Sequence, residues 1–457
     1  MTLIKSISGI RGTIGGSTGD NLTPLDVVKF ASAYGMWLKN RASGSLKVVV
    51  GRDARMSGAI VQNLVQSSLL SLGIDVVDLG LSTTPTVEIA VPLEKANGGI
   101  ILTASHNPKQ WNALKLLNEK GEFVSAADGA EILSIAENEA FDFAQVDDLG
   151  VSVEKDYLQI HIDAVLALST VDVKLVEKEN FKVVIDAVNS TGGIYIPALL
   201  RQMGVEVVEL YCEPNGKFPH NPEPLPEHLH DLCSLVKETN SDLGFVVDPD
   251  VDRLAIVSED GTLFGEEYTL VAVADHVMKT QKGDTVSNLS STRALRDVSE
   301  KYGVNYHASA VGEVNVVAKM KEVNSPIGGE GNGGIIYPEL HYGRDSLVGV
   351  ALFLTHLAQS KVSCSELRKQ YTDYYMSKQK IQLTPEIDVD NILKVMAKNY
   401  SKEDVNTIDG VKINFANEWV HLRKSNTEPI IRVYTESTSP AKANQLAQRF
   451  INEINLV

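Results

Sequence analysis

Three aspartates alternate with other residues in "FVVDPDVDRLAIV", at Asp248, Asp250 and Asp252, with Arg253 directly behind. Carboxylates at i, i+2 and i+4 of an extended segment converge on one side, where their mutual repulsion needs an answer. A hard divalent cation supplies it, and an all-oxygen donor set favours Mg²⁺ or Ca²⁺ over zinc. The stretch lacks the glycine and closing glutamate of an EF-hand loop. A solvated acidic loop is the plainer alternative, but the apolar runs on both sides read as buried strands. The pattern therefore predicts Mg²⁺ with open positions that a phosphate oxygen could complete.

A second polar knot ends the apolar run 100–102: Thr103, Ala104, Ser105, His106, Asn107, Pro108. Serine in such a place often caps a following helix. A hydrolase triad fits poorly, because adjacent Ser105 and His106 side chains tend to diverge and the G-x-S-x-G elbow is missing. A serine that accepts a phosphoryl group stays open. Lys115 lies ten residues on, within reach if a short helix or turn folds the chain back.

Two further segments complete the chemistry. "PIGGEGNGGIIYP" (326–338) sets Glu330, Gly331 and Asn332 in a glycine-rich loop without the Gly-Lys-Ser/Thr of a P-loop. A tight turn is one reading. Glu330 would repel a phosphate, so a ligand here would be a neutral hydroxyl. "LRKSNTEPIIR" (422–432) crowds Arg423, Lys424, Ser425, Asn426, Thr427 and Arg432 together. Forked guanidinium donors with hydroxyls suit a phosphate dianion better than they suit a solvated basic face. Jointly the four segments describe a phosphoryl-transfer centre at Ser105, a hydroxyl-reading loop and a separate phosphate clamp. Positioning and charge neutralisation are what such chemistry needs.

The elements that must position these residues follow from local pattern. "LKVVVGRDAR" (46–55), "FKVVIDAV" (181–188) and "GDTVSN" (283–288) each open a strand–helix–strand unit with β-branched strands. Recurrence at such intervals predicts three similar α/β domains. Residues 407–437 instead read as short alternating strands, followed by a helix over 440–454, which predicts a smaller α+β domain. We place the divisions at 1–148, 149–253, 254–370 and 371–457. A length of 457 residues exceeds what one core supports. Three scattered cysteines, no leader-like N-terminus and no membrane-spanning apolar run point to the cytoplasm. A net charge of −17 argues against nucleic acid and anionic membrane as partners.

Taken in order, these segments resemble the α-D-phosphohexomutase family over essentially the whole chain. "TASHNP" resembles its phosphoserine loop, "DPDVDR" its metal loop, "GGEGNGG" its sugar loop and "RKSNTEP" with "IIR" its phosphate-binding loop. "SGIRG" (8–12) and "EPNGKFPHNPEP" (213–224) are similar further segments. The resemblance implies three α/β domains with mixed sheets and a C-terminal α+β domain around a central cleft. It also implies a phosphorylated Ser105 sharing Mg²⁺ with Asp248, Asp250 and Asp252, and a hexose 1,6-bisphosphate intermediate that also primes the enzyme. Lys115 would act as general acid/base or positioning cation, with His106 beside Ser105, and Arg11 and Arg253 as charge stabilisers. Glu330, Gly331 and Asn332 would hold sugar hydroxyls. Arg423, Ser425, Asn426, Thr427 and Arg432 would hold the distal phosphate. The substrate implied is a phosphorylated hexose, glucosamine phosphate ahead of mannose or glucose phosphate, and the protein a monomer or homodimer. An inactive sugar-phosphate binder is the remote alternative. Two departures are visible: Gly334 stands where many relatives place a histidine, with His341 the nearest substitute, and Ala113 stands where relatives often have glycine.

Overall fold

The computed structural model describes residues 2–6, 9–382, 388–424 and 430–455. It resolves into two compact units, one of Met1–Thr269 with Gly333–Ser365, the other of Leu270–Asn332 with Glu366–Val457.

In the first unit a seven-stranded mixed sheet comes from β1 (Ile4–Ser6), β2 (Gly9–Thr13), β3 (Leu46–Arg52), β4 (Ile74–Leu81), β5 (Gly98–Leu102), β6 (Trp111–Leu117) and β7 (Ser152–Glu154). Their spatial order is β1-β2-β6-β5-β3-β4-β7. The parallel part, β5-β3-β4-β7, is built on β-branched runs whose two faces are both covered, so Val48, Val49 and Val50 are wholly buried. β6 returns antiparallel to β5, with Ile101 opposite Lys115. A hairpin of strands, and no helix, thus brings Lys115 back toward Ser105. β2 packs on β6 with Arg11 opposite Ala113, and this approach needs glycine at position 9. Gly9 has φ of +120°, and a Cβ there would lie 2.1 Å from the Leu114 carbonyl oxygen.

A second mixed sheet, ordered β11-β10-β8-β9, uses β8 (Lys182–Asp186), β9 (Glu206–Leu210), β10 (Leu243–Val247) and β11 (Leu254–Ser258). β8, β9 and β10 run parallel, while β11 turns back against β10 through the aspartate loop. The helix Ser346–Ser360 is apolar on every side and almost wholly buried. Its Phe353 meets Phe264 and Phe245 edge to face, at 5.2 and 6.0 Å between ring centres. Full burial of such a side chain contributes about 1.5–3 kcal/mol.

The second unit holds the parallel ladder of β12 (Thr285–Asn288) with β13 (Tyr306–Ser309) and β14 (Ile327–Glu330). β15 (Gly334–Ile336) belongs to the first unit. The second unit also holds an antiparallel sheet ordered β16-β20-β19-β18-β17, from β16 (Tyr375–Gln382), β17 (Asp404–Asn406), β18 (Val411–Asn414), β19 (Trp419–Lys424) and β20 (Ile430–Ser437). The helix Pro440–Ile454 covers one face with Leu446, Ala447, Phe450 and Ile454. All three strand–helix–strand repeats and the closing α+β region are therefore present as the pattern predicts.

Candidate active site

Ser105 stands three residues past the end of β5, 8% exposed, with φ of +47°. No helix follows it, so the capping role is excluded; the chain turns directly into β6. The left-handed backbone also corrects the expectation that Ser105 and His106 diverge, because it turns Oγ to within 3.3 Å of His106 Nδ1. This unfavourable conformation needs external restraint. The Thr103 hydroxyl accepts from the Ser105 N–H at 2.9 Å. Fully buried Arg55 donates to the carbonyls of Ser105 (2.5 Å), Asn107 (2.7 Å), Pro108 (2.8 Å) and Trp111 (3.0 Å). Its Nε donates to Asp53 at 3.0 Å, and Asp53 also accepts from the Thr103 hydroxyl at 2.7 Å. One Asp–Arg pair thereby fixes the whole loop from beneath.

The three aspartates lie between β10 and β11, each 0% exposed, with carboxylate oxygens within 4.8 Å of one another. Their convergence comes from a tight turn with Val251 at φ +65°, and strand alternation plays no part in it. Asp248 Oδ2 accepts from Ser105 Oγ at 2.7 Å, and its Oδ1 accepts from the N–H groups of Asp252 and Arg253 at 3.1 Å. Lys115 donates to Asp250 Oδ2 at 2.7 Å and Asp252 Oδ2 at 3.2 Å. Arg344 donates to Asp252 Oδ2 at 2.8 Å. Asp250 Oδ1 and Asp252 Oδ1, both buried, have no hydrogen-bond partner among the described residues. Two orphaned carboxylate oxygens beside Asp248 and a serine hydroxyl are the donor set of a hard cation, so these residues fit a divalent metal.

Electrostatics agree with that arrangement. Burial, then the charges of Asp252 and Asp250, push the Asp248 carboxyl well above its ordinary range. Burial alone would lower Lys115, but Asp250 and Asp252 outweigh it and hold the ammonium above its usual value. Burial, followed by the cations Arg253, Arg344 and Arg11, keeps His106 well below 6.5 despite Asp252, so its imidazole is neutral at pH 7. Arg11 and Arg253 thus lie close enough to His106 for their charges to act on its imidazole. Arg253 also lies 3.6 Å from Glu223 in the "EPNGKFPHNPEP" segment.

In the second unit Glu330 ends β14, 5% exposed, and accepts from Asn288 Nδ2 at 2.7 Å and Gly312 N at 3.2 Å. The N–H of Gly331 donates to Ser291 Oγ at 2.9 Å, and Asn332 follows in the same turn. Arg423 on β19 and Arg432 on β20 are direct register partners, so two guanidiniums project from one face of adjacent strands. Asp409 accepts from Arg423 at 2.9 Å, and Arg432 donates to the Tyr434 hydroxyl at 3.2 Å. Ser425, Asn426 and Thr427 lie outside the described residues.

The sequence reading missed Asp53, Arg55, Thr84 and Arg344. A signal existed: the tripeptide Gly-Arg-Asp occurs at 51–53, ending a strand, and again at 343–345. Charged pairs at the carboxyl end of buried strands lie where α/β proteins keep their sites. His341, the suggested histidine substitute, is hydrogen-bonded to Asp345 at 3.3 Å and lies 3.4 Å from Glu88.

Comparison with known proteins accounts for nearly the whole chain. Residues 3–143, 159–261 and 265–375 match phosphoglucomutase/phosphomannomutase alpha/beta/alpha domains I, II and III, and 379–453 match the C-terminal domain. The chain is 34% identical over 440 residues to the phosphoglucomutase/phosphomannomutase of Thermococcus kodakarensis, covering 95% of this chain and 96% of that one. It is 32% identical over 455 residues to the phosphoglucosamine/phosphogalactosamine mutase of Sulfurisphaera tokodaii, covering 98% and 97%. A crystal structure of a phosphoglucomutase/phosphomannomutase family protein from Burkholderia thailandensis superposes with a TM-score of 0.86 at 26% identity, covering 99% of this chain and 96% of that one. No described helix is long and apolar enough to cross a membrane.

Proposed function

The chain belongs to the phosphoglucomutase/phosphomannomutase family of α-D-phosphohexomutases, and from that premise we propose that it interconverts hexose 6-phosphate and hexose 1-phosphate, with glucosamine phosphate as preferred substrate. The observation that carries the reading is the Ser105 hydroxyl, 2.7 Å from Asp248 inside a buried triplet of aspartates and flanked by cations. The hexosamine activity named for the Sulfurisphaera relative supports the substrate choice. Phosphomannomutase/phosphoglucomutase activity is the alternative, supported by the name of the Thermococcus relative. The four segments 1–148, 149–253, 254–370 and 371–457 are its proposed domains.

Asp248, Asp250, Asp252 and Ser105 would hold Mg²⁺, which neutralises charge on the phosphoryl oxygens when bound. In its phosphorylated form Ser105 gives up the phosphoryl group as a sugar hydroxyl attacks phosphorus. The bond to Oγ breaks, and the protonated Lys115 returns a proton to that oxygen. The neutral His106 imidazole takes the proton from the sugar hydroxyl. The second half of the cycle reverses these transfers on the turned hexose 1,6-bisphosphate. Arg11 and Arg253 stabilise the charge that develops. Arg423 and Arg432, with Ser425, Asn426 and Thr427, grip the phosphate that is not reacting, while Glu330, Gly331 and Asn332 read hydroxyls.

The test is isomerisation of glucosamine 6-phosphate, glucose 1-phosphate and mannose 1-phosphate with Mg²⁺ and a trace of hexose bisphosphate. Ser105→Ala should abolish turnover on each substrate while sugar-phosphate binding persists. Release of inorganic phosphate without isomer formation would make the protein a phosphatase and end the mutase reading.

A further inference from the structure

Each aspartate of the triplet divides its two oxygens between tasks. For Asp250 one oxygen, Oδ2, takes donors from Lys115 at 2.7 Å and from Thr84 Oγ1 at 2.5 Å, while the buried Oδ1 has no hydrogen-bond partner among the described residues. Thr84 belongs to no motif of the sequence analysis and has been given no role above. It is wholly buried at the first position of the helix Thr84–Leu93, whose cap, Thr83, accepts from the Thr86 N–H at 3.1 Å. At that position a backbone N–H has no partner within its own helix. Here it donates to the Asp250 carbonyl at 2.9 Å. Main chain and side chain of one residue therefore grip Asp250 together.

We propose that Thr84 is a positioning residue for the metal: its hydroxyl fixes the rotation of the Asp250 carboxylate so that one oxygen, and only one, is presented to the cation. The inference rests on the reading of Asp248, Asp250 and Asp252 as metal ligands. Lys115 Nζ lies 3.5 Å from Thr84 Oγ1 and, having no acceptor atom, can only donate to it. The single hydroxyl proton is thereby committed to Asp250. Lys115 alone would not lock the carboxylate, because the same ammonium is shared with Asp252 at 3.2 Å. A residue that orients a ligand from behind typically changes metal affinity 10- to 100-fold when it is removed.

The experiment titrates the full-length protein with Mn²⁺, following free Mn²⁺ by electron paramagnetic resonance, for wild type, Thr84→Val, Thr84→Ser and Asp250→Asn. Thr84→Val keeps the branched shape and should weaken Mn²⁺ binding about 10- to 100-fold. Thr84→Ser restores the hydroxyl and should bind within about threefold of wild type, on the same ligand-orientation argument. Asp250→Asn should lose most of the affinity. If Thr84→Val does not fold by near-ultraviolet circular dichroism, Thr84→Cys, whose thiol fills the space but donates weakly, carries the same expectation. Wild-type affinity in the folded valine or cysteine variant, with Asp250→Asn weakened, would overturn the role of Thr84 alone. Equal weakening in the serine and valine variants would overturn it too, since the hydroxyl would then not be the active element. Wild-type affinity in Asp250→Asn would instead remove the metal-site reading beneath it.

Discussion

Replacing Arg55 by methionine isolates what holds the Ser105 loop. The guanidinium makes five hydrogen bonds, four to carbonyls of residues 105–111 and one to Asp53, and it is fully buried. Each charged bond is worth about 1.5–3 kcal/mol taken alone, but they share one cation and do not add. Breaking a buried pair by removing one partner costs about 3–5 kcal/mol, because the stranded charge remains. Assigned to local opening of the loop, that cost corresponds to roughly 10²- to 10⁴-fold faster amide exchange, at about 1.36 kcal/mol per factor of ten. Hydrogen exchange with mass-spectrometric readout follows it directly. The informative amides are Asn107, bonded to the Ala104 carbonyl at 3.0 Å, and Trp111, bonded to the Pro108 carbonyl at 3.0 Å. Exchange in the interior of β3 should not change. Adding Asp53→Asn to Arg55→Met should recover part of the loss, since the unpaired carboxylate is gone. Unchanged exchange over 104–111 in the single variant would show that the loop is held by other means and that the buried pair is passive.

Two more expectations concern the second unit. Arg432→Ala should weaken binding of glucose 1-phosphate by about 1.5–3 kcal/mol, less up to about 1 kcal/mol regained by relieving the repulsion with Arg423; calorimetric affinity equal to wild type would remove Arg432 from the clamp. His421 is buried, its Nε2–H donates to the Asp409 carbonyl at 2.7 Å, and Ser290 meets its Nδ1 at 2.9 Å. Burial lowers its pKa from 6.5 to about 4. A depressed folded-state value means that this contribution to stability is complete above about pH 6.5 and declines as pH falls toward about 4. His421→Gln should therefore flatten the acid side of the stability profile, seen as a smaller melting-temperature difference between pH 7 and pH 5; an unaltered difference would count against a neutral histidine there.

The chemistry of the site was legible in the sequence wherever it sat on consecutive or alternating residues. Asp248, Asp250 and Asp252 announce themselves because three buried carboxylates in five positions are too costly without a purpose. Ser105 was legible from its place at a strand end. What supports them was not. Thr84 and Arg344 reach the aspartates from segments distant in the chain, and a single threonine before Pro85 looks like any helix start. Arg55 acts on backbone carbonyls, which carry no residue identity for a pattern to record. The residues that do come together came with an unexpected local geometry. The aspartates converge through a left-handed Val251 and Ser105 meets His106 through its own positive φ, neither of which a strand or turn propensity foretells for those residue types.

Ser105 and Lys115 hang from one hairpin, since β5 leads to the serine and β6, paired to it with Ile101 across from Lys115, carries the amine. The aspartates come from another sheet. Any breathing of one sheet against the other would alter the spacing of hydroxyl and carboxylates while the Ser105 and Lys115 backbones kept step. Transplanting this site onto a foreign scaffold would accordingly mean moving both strands as one cassette; grafting the serine turn alone would leave Lys115 behind.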